Sequence, residues 1–218
     1  MKFYGLGEST LEAEIEDLLK NQSNPTIAPL AKMGEVTLRL TAKAQNLERA
    51  QEIIKPVEEE IKDRIGEYLY GFDDDTPESI VAKLLLAQEK TIALAESCTG
   101  GLMSHRLTNV PGISRFFERG VVAYSNQSKI DLLGVEPEVL DKYGAVSAVT
   151  AEQMARGIQK SSDTDIGVGI TGISGPGGGS EDKPVGLVYI GYSQDDLTWS
   201  QEHRFWGSRD MIKARSVN

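Results

Sequence analysis

The sequence predicts an α/β protein: a three-layer α/β/α domain with a mixed sheet over residues 76–218, preceded by a small α+β domain over residues 1–75. Three observations predict it. Past residue 76, β-rich runs alternate with helical patterns, the rhythm of a sheet covered by helices on both faces. The last two such runs, 184–193 and 197–206, flank Gln194-Asp195-Asp196 as a hairpin, so the sheet must also contain antiparallel strands. Charge changes at the same place. Residues 1–75 hold 16 Asp and Glu against 9 Lys and Arg, a net of −7, while residues 76–218 hold 17 against 14, a net of −3.

In the first segment, Lys2–Leu6 reads as a short strand. Ser9 opens S-T-L-E, a capping-box pattern with Glu12, and Leu11, Ile15, Leu18 and Leu19 follow at helical spacing. That helix must end by Asn24-Pro25. EVTLRLTA at 35–42 alternates Val36, Leu38 and Leu40 with polar residues, as a half-buried strand does. An acidic helical stripe covers 47–69, with Pro56 expected to kink it or restart it.

Thr76-Pro77 then forms an N-cap and first-turn pair for a helix through Ala87. TIALAE (91–96) is a strand, followed by a glycine turn and a helix over 101–107. GVVAY (120–124) is a strand leading through Ser125-Asn126 into a helix over 127–133. Thr150 and Gln153 form a capping box for a helix over 151–160, and DIGVGIT (165–171) is a strand entering a glycine-rich loop.

Composition narrows the function classes. The 218 residues carry a net charge of −10, which speaks against a general binder of the nucleic-acid backbone. A single cysteine excludes a disulfide framework and a four-cysteine zinc cluster. The longest apolar stretches are far too short for a membrane-spanning helix, and MKFYGLGEST lacks the apolar core of a signal peptide. A cytoplasmic protein with no nucleic-acid or membrane partner is expected.

Three strand-end loops hold the candidate chemistry. In AESCTGG (95–101), Ser97 and Thr99 lie at a turn into a helix, where free N–H groups can hold an anion or an oxyanion; alternatively either residue merely caps the helix. In AYSNQSK (123–129), Lys129 falls in the first turns of a helix. Neither His105 nor His203 is well placed as a base, whereas a lysine with a lowered pKa can serve, with Tyr124 as relay or orienter. An exposed helix lysine is the other reading. In GITGISGPGGG (169–179), glycines past Thr171 expose backbone N–H groups, as phosphate and nucleotide sites do, or make a simple hairpin connector. Arg209 could pair with a phosphate. Cys98 is a rival nucleophile at the same turn as Ser97, without a histidine nearby in sequence.

Taken together, AESCTGG, GVVAYSNQSKIDLLGV, GAVSAVTAEQMARGI and GITGISGPGGG…KPVGLVYIG resemble the C-terminal domain of the CinA family from about Thr76 onward. Residues 1–75, with YGLGEST and the helix ending at YLYG, resemble that family's small linking domain. The resemblance implies hydrolysis of the carboxamide of nicotinamide mononucleotide to nicotinate mononucleotide and ammonia, in pyridine-nucleotide recycling. It implies Ser97 as nucleophile with Tyr124 and Lys129 completing the catalytic group, and no metal or cofactor. Thr99, Gly100 and Gly101, then Thr171, Gly172, Gly175, Gly177, Gly178 and Arg209, become the expected substrate contacts. A homo-oligomer is expected on the same ground. The alternative is a catalytically silent nucleotide-binding or protein-interaction module of a competence- or DNA-damage-linked protein.

Three departures from the family pattern stand out. The N-terminal domain resembling molybdopterin-binding proteins is not in this sequence, so its pyrophosphatase activity is not expected here. Ser174 stands where the family loop commonly has alanine. The sequence stops at Asn218 within the expected last helix, which suggests a fragment and leaves Lys213 and Arg215 with little to fix them.

Overall fold

The computed structural model describes residues 1–32 and 34–218, which form two compact units, Met1–Ile80 and Val81–Asn218. In the first, strands β1 (Lys2–Tyr4), β2 (Thr26–Lys32), β3 (Glu35–Thr41) and β4 (Leu69–Gly71) make an antiparallel sheet in the order β2-β3-β1-β4. Helices α1 (Glu8–Glu14), α2 (Glu16–Lys20) and α3 (Leu47–Ile65) accompany it. Phe3, Val36 and Leu38 from the sheet share one core with Leu11, Ile15, Ile61 and Ile65. That alternation of inward residues is the one read in EVTLRLTA.

Several expectations for this unit change. The first helix begins at Glu8 with Gly7 as N-cap and no side-chain cap, so Ser9 and Glu12 lie inside it and form no capping box. It breaks at Ile15, whose side chain is fully buried, into α1 and α2. β2 was not expected, because Pro29 interrupts its pattern; as an edge strand it tolerates a residue without an N–H. α3 runs through Pro56 as one helix, with that residue exposed, and ends at Ile65 rather than at residue 69. Leu69 instead pairs with Phe3 in β4.

The second unit is a five-stranded mixed sheet in the order β6-β5-β7-β8-β9. Its strands are β5 (Ile92–Glu96), β6 (Phe117–Val122), β7 (Ile166–Gly172), β8 (Leu187–Gln194) and β9 (Leu197–Arg204). β5 pairs in parallel with β6 and β7, while β7-β8 and β8-β9 are antiparallel. The helices are α4 (Pro77–Gln88), α5 (Leu102–Thr108), α6 (Asn126–Leu133), α7 (Pro137–Tyr143), α8 (Ala148–Ser162) and α9 (Arg209–Arg215). Alternate residues of β5 face opposite layers. Ile92 and Leu94 pack with Leu85, Leu107 and Ile212, whereas Ala93 and Ala95 pack with Leu133, Leu140, Met154 and Ile158.

The alanine side belongs to α8, which lies unusually close to the sheet. A Cβ added at Gly169 would stand 2.5 Å from the Ala151 carbonyl oxygen, and one at Gly191 only 2.2 Å. The glycine run that looked like loop chemistry therefore begins as a packing requirement inside β7. Ser147 is the N-cap of α8, and its hydroxyl accepts the Thr150 N–H; Thr150 and Gln153 lie inside the helix and do not form the expected cap. α7 was not foreseen. β6 ends at Val122, so Ala123 and Tyr124 fall in the loop beyond it. Asp195-Asp196 makes the tight hairpin turn, as expected. Among the described residues no helix is long and apolar enough to cross a membrane.

Candidate active site

The loops after β5, β6 and β7 converge on a cleft of about 260 Å³. Ser97, Cys98, Tyr124, Lys129, Thr171, Gly172, Gly175, Gly177, Gly178 and Arg209 all line it, together with Ala145, Val146, Ile173 and Ser174. It thus gathers both groups nominated as base and nucleophile, the glycine loop and Arg209.

Lys129 is 1% exposed, so it is not a surface helix lysine. Ser125 and Ser128 cap α6 reciprocally and fix its first turn, and Lys129 points back from that turn beneath the loop. Its Nζ is 3.1 Å from Ser97 Oγ, 2.9 Å from the Ala123 carbonyl and 3.3 Å from the Tyr124 carbonyl. A neutral amine has two N–H groups and one lone pair. The two carbonyls can take the two N–H groups, which leaves the lone pair to accept the Ser97 O–H. Burial pulls the Lys129 pKa below the ordinary lysine value, opposed only by the nearby Cys98. Burial thus shifts Lys129 toward the neutral form, the form that can act as a base.

Tyr124 offers its carbonyl to Lys129 and its phenol to Arg209. Its side chain is 63% exposed, and its phenol oxygen accepts a hydrogen bond from Arg209 Nη2 at 3.1 Å. Arg209 Nη1 donates to the Gly175 carbonyl at 2.5 Å, so this guanidinium ties the glycine loop to Tyr124 across the cleft. Arg215 donates to the Trp206 carbonyl and lies over that ring at 3.8 Å, so it is well fixed, contrary to expectation.

Thr99, Gly100 and Gly101 do not line the cleft. The Thr99 hydroxyl is buried and has no hydrogen-bond partner among the described residues. Three of the amides at the start of α5, where an oxyanion was expected, already have a partner within the protein. Glu96, fully buried at the end of β5, accepts the N–H groups of Gly101 (3.0 Å) and Met103 (3.1 Å) on Oε2, and the Ser104 N–H (2.8 Å) and hydroxyl (2.7 Å) on Oε1. A carboxylate inside the protein thus satisfies three N–H groups at the helix start. The sequence did carry a signal for it: one charged residue closing an otherwise apolar strand.

Cys98 faces the same cleft, but burial pushes its thiol up to about 11, which keeps it protonated near neutral pH. His105 and His203 are not among the cleft residues, and His203 stacks on Phe205 at 5.3 Å. Among the described residues no group of three or more His, Cys, Asp and Glu could hold a metal ion.

Comparison with known proteins gives the lineage. The family model of the CinA C-terminal domain matches residues 74–218, and that of the damage-inducible protein CinA KH domain matches residues 1–71. The chain belongs to the CinA family. Within it, a competence-damage inducible protein of Moorella thermoacetica is 53% identical over 217 residues, covering 100% of this chain and 52% of the relative. One from Clostridium tetani is 49% identical, covering 100% and 53%. The chain spans about half the length of these curated relatives. Among solved structures, the competence/damage inducible protein CihA of Agrobacterium tumefaciens superposes with a TM-score of 0.63 at 39% identity, covering 64% of this chain and 86% of its own. A CinA superfamily protein of Escherichia coli gives 0.63 at 30% identity, covering 68% and 88%.

Proposed function

We propose that this CinA-family chain hydrolyses the carboxamide of nicotinamide mononucleotide, releasing ammonia and nicotinate mononucleotide. The family resemblance supports the substrate. The observation that carries the chemistry is the buried Lys129 amine set 3.1 Å from Ser97 Oγ.

Lys129 takes the proton as Ser97 Oγ attacks the amide carbon, giving a tetrahedral intermediate. The Lys129 ammonium returns that proton to the amide nitrogen as the C–N bond breaks and ammonia leaves. Water then attacks the Ser97 ester, its proton passing to Lys129 and back to Ser97, so the nucleophile and base end as they began. With Glu96 holding the Gly101, Met103 and Ser104 amides, oxyanion stabilisation rests on donors that line the cleft. Arg209 and the glycine loop supply a cation and backbone N–H groups for the phosphate and ribose. Tyr124 acts on this reading by positioning Arg209, not by relaying the proton.

The test is direct. The full chain is incubated with nicotinamide mononucleotide and the mixture followed by phosphorus and proton NMR. Stoichiometric appearance of nicotinate mononucleotide and ammonia supports the proposal. A folded chain that leaves the substrate intact favours a silent binding module instead.

A further inference from the structure

The cleft has two lips from distant parts of the sequence. One is the segment Tyr143–Val146, of which Ala145 and Val146 line the cleft. The other is the loop from Ile173 to Gly186, which contributes Ile173, Ser174, Gly175, Gly177 and Gly178. Lys183 belongs to the second lip and reaches the first, where its Nζ donates to the Tyr143 carbonyl at 2.6 Å and to the Val146 carbonyl at 2.8 Å.

This junction is built from both sides. The Ser180 N–H donates to the Lys183 carbonyl at 2.8 Å, and the Lys183 N–H donates to Ser180 Oγ at 3.1 Å, so a closed turn presents the lysine. On the receiving side, a Cβ at Gly144 would stand 3.2 Å from Lys183 Nζ, and its φ of +75° is one that L side chains rarely adopt. The carbonyls between the two lysine contacts are also held. Thr150 Oγ1 donates to Gly144 O at 2.8 Å and Thr171 Oγ1 to Ala145 O at 2.7 Å. Four successive carbonyls of the first lip thus accept side-chain hydrogen bonds, two of them from one cation.

We infer that Lys183 is a positioning residue: it locks the two lips at a fixed spacing and so sets how tightly the cleft holds its substrate, without taking part in the chemistry at Ser97. The fixed lip orders backbone that would otherwise have to be ordered by the substrate, and pre-organisation of this kind shows in affinity. As regards the substrate, the inference rests on the amidase reading above.

The experiment therefore has two arms on the full chain, comparing the unchanged protein with Lys183→Met and Lys183→Arg. The first is NMR hydrogen exchange without ligand, at two bonded amides: Gly144, donating to Leu140 O, and Ser180, donating to Lys183 O. In Lys183→Met both should exchange about tenfold faster, as expected when a charge-assisted pair of hydrogen bonds is lost, with the β5 and β7 amides unchanged. The second is steady-state hydrolysis of nicotinamide mononucleotide. KM should rise about tenfold with kcat within about twofold, the low end of what losing two bonds from a charged donor costs, and Lys183→Arg should recover most of it. Unchanged exchange at Gly144, or acceleration of only one lip, overturns the inference whether or not the protein is an amidase. So does an equal fall in kcat and kcat/KM with KM unaltered. If Lys183→Met does not fold, Lys183→Ala, which has no side-chain donor, is read by the same criteria. An unchanged protein that does not hydrolyse the substrate refutes the amidase reading alone, because the exchange arm still decides the lock.

Discussion

Glu96→Gln is a one-atom change whose effect can be worked out from the hydrogen bonds at the head of α5. The carboxylate accepts three backbone N–H groups and one hydroxyl, two donors on each oxygen. Glutamine must turn an NH₂ toward one of those pairs. Turned toward Oε2's partners, it orphans both Gly101 N–H and Met103 N–H. Turned toward Oε1's partners, it orphans only the Ser104 N–H, because the Ser104 hydroxyl can rotate and accept. The second arrangement is cheaper. It costs about 1–3 kcal/mol for one buried unsatisfied donor. Roughly another 1 kcal/mol follows as the remaining charge-assisted bonds become neutral ones. A loss of about 3 kcal/mol is a large share of the roughly 5–15 kcal/mol that holds a domain folded. For a chain of this size, it lowers the melting temperature by about 6–12 °C. Thermal and urea unfolding of both proteins, followed by near-ultraviolet circular dichroism, reads the difference. Unfolding within about 0.5 kcal/mol of the unchanged protein would refute the reasoning, since the helix start would then not depend on the buried charge. Ser97 is the next residue, so ammonia release should fall as well.

Lys129→Met should keep its fold and lose about 10³-fold in ammonia release, the usual scale of a positioned general base, as read by a coupled ammonia assay. The neutral amine is the working form, so the rate should fall as pH drops through the lysine pKa, with the midpoint below the ordinary value of 10.5 because burial lowers it; a flat profile across that limb contradicts the assignment. Cys98→Ala should retain activity within about threefold, and alkylation of Cys98 by iodoacetamide, followed by mass spectrometry, should be slow at neutral pH and rise only as pH nears about 11. Gly191→Ala puts a Cβ 2.2 Å from the Ala151 carbonyl, and calorimetry should find it destabilised by about 1–3 kcal/mol as α8 is forced from the sheet.

Most strands of the two sheets were legible because their signals are local: alternation in β3 of the first, and apolar runs in β5 and β7 and a two-aspartate turn between β8 and β9 in the second, each declare themselves within ten residues. β2 and α7 were not. Pro29 breaks the pattern of an edge strand that only its pairing with β3 reveals, and α7 is a short helix with little periodicity to read. The closeness of Ser97, Lys129 and Arg209 was proposed from strand-end logic and family likeness, and the fold brings them to one cleft. What sequence could not assign was which donors are already used. The Gly101, Met103 and Ser104 amides look available until Glu96 is seen to accept them, and nothing in the spacing shows that the Tyr124 phenol meets Arg209. Both depend on side-chain direction, which spacing along the chain does not encode.

The central claim is that Ser97 is the nucleophile and Lys129 its base. Ammonia release from nicotinamide mononucleotide by Ser97→Ala, measured beside the unchanged full chain with circular dichroism confirming the fold, tests it most directly. The account predicts release indistinguishable from the enzyme-free solution. Release at an undiminished rate would contradict it and move the chemistry to another group in the cleft.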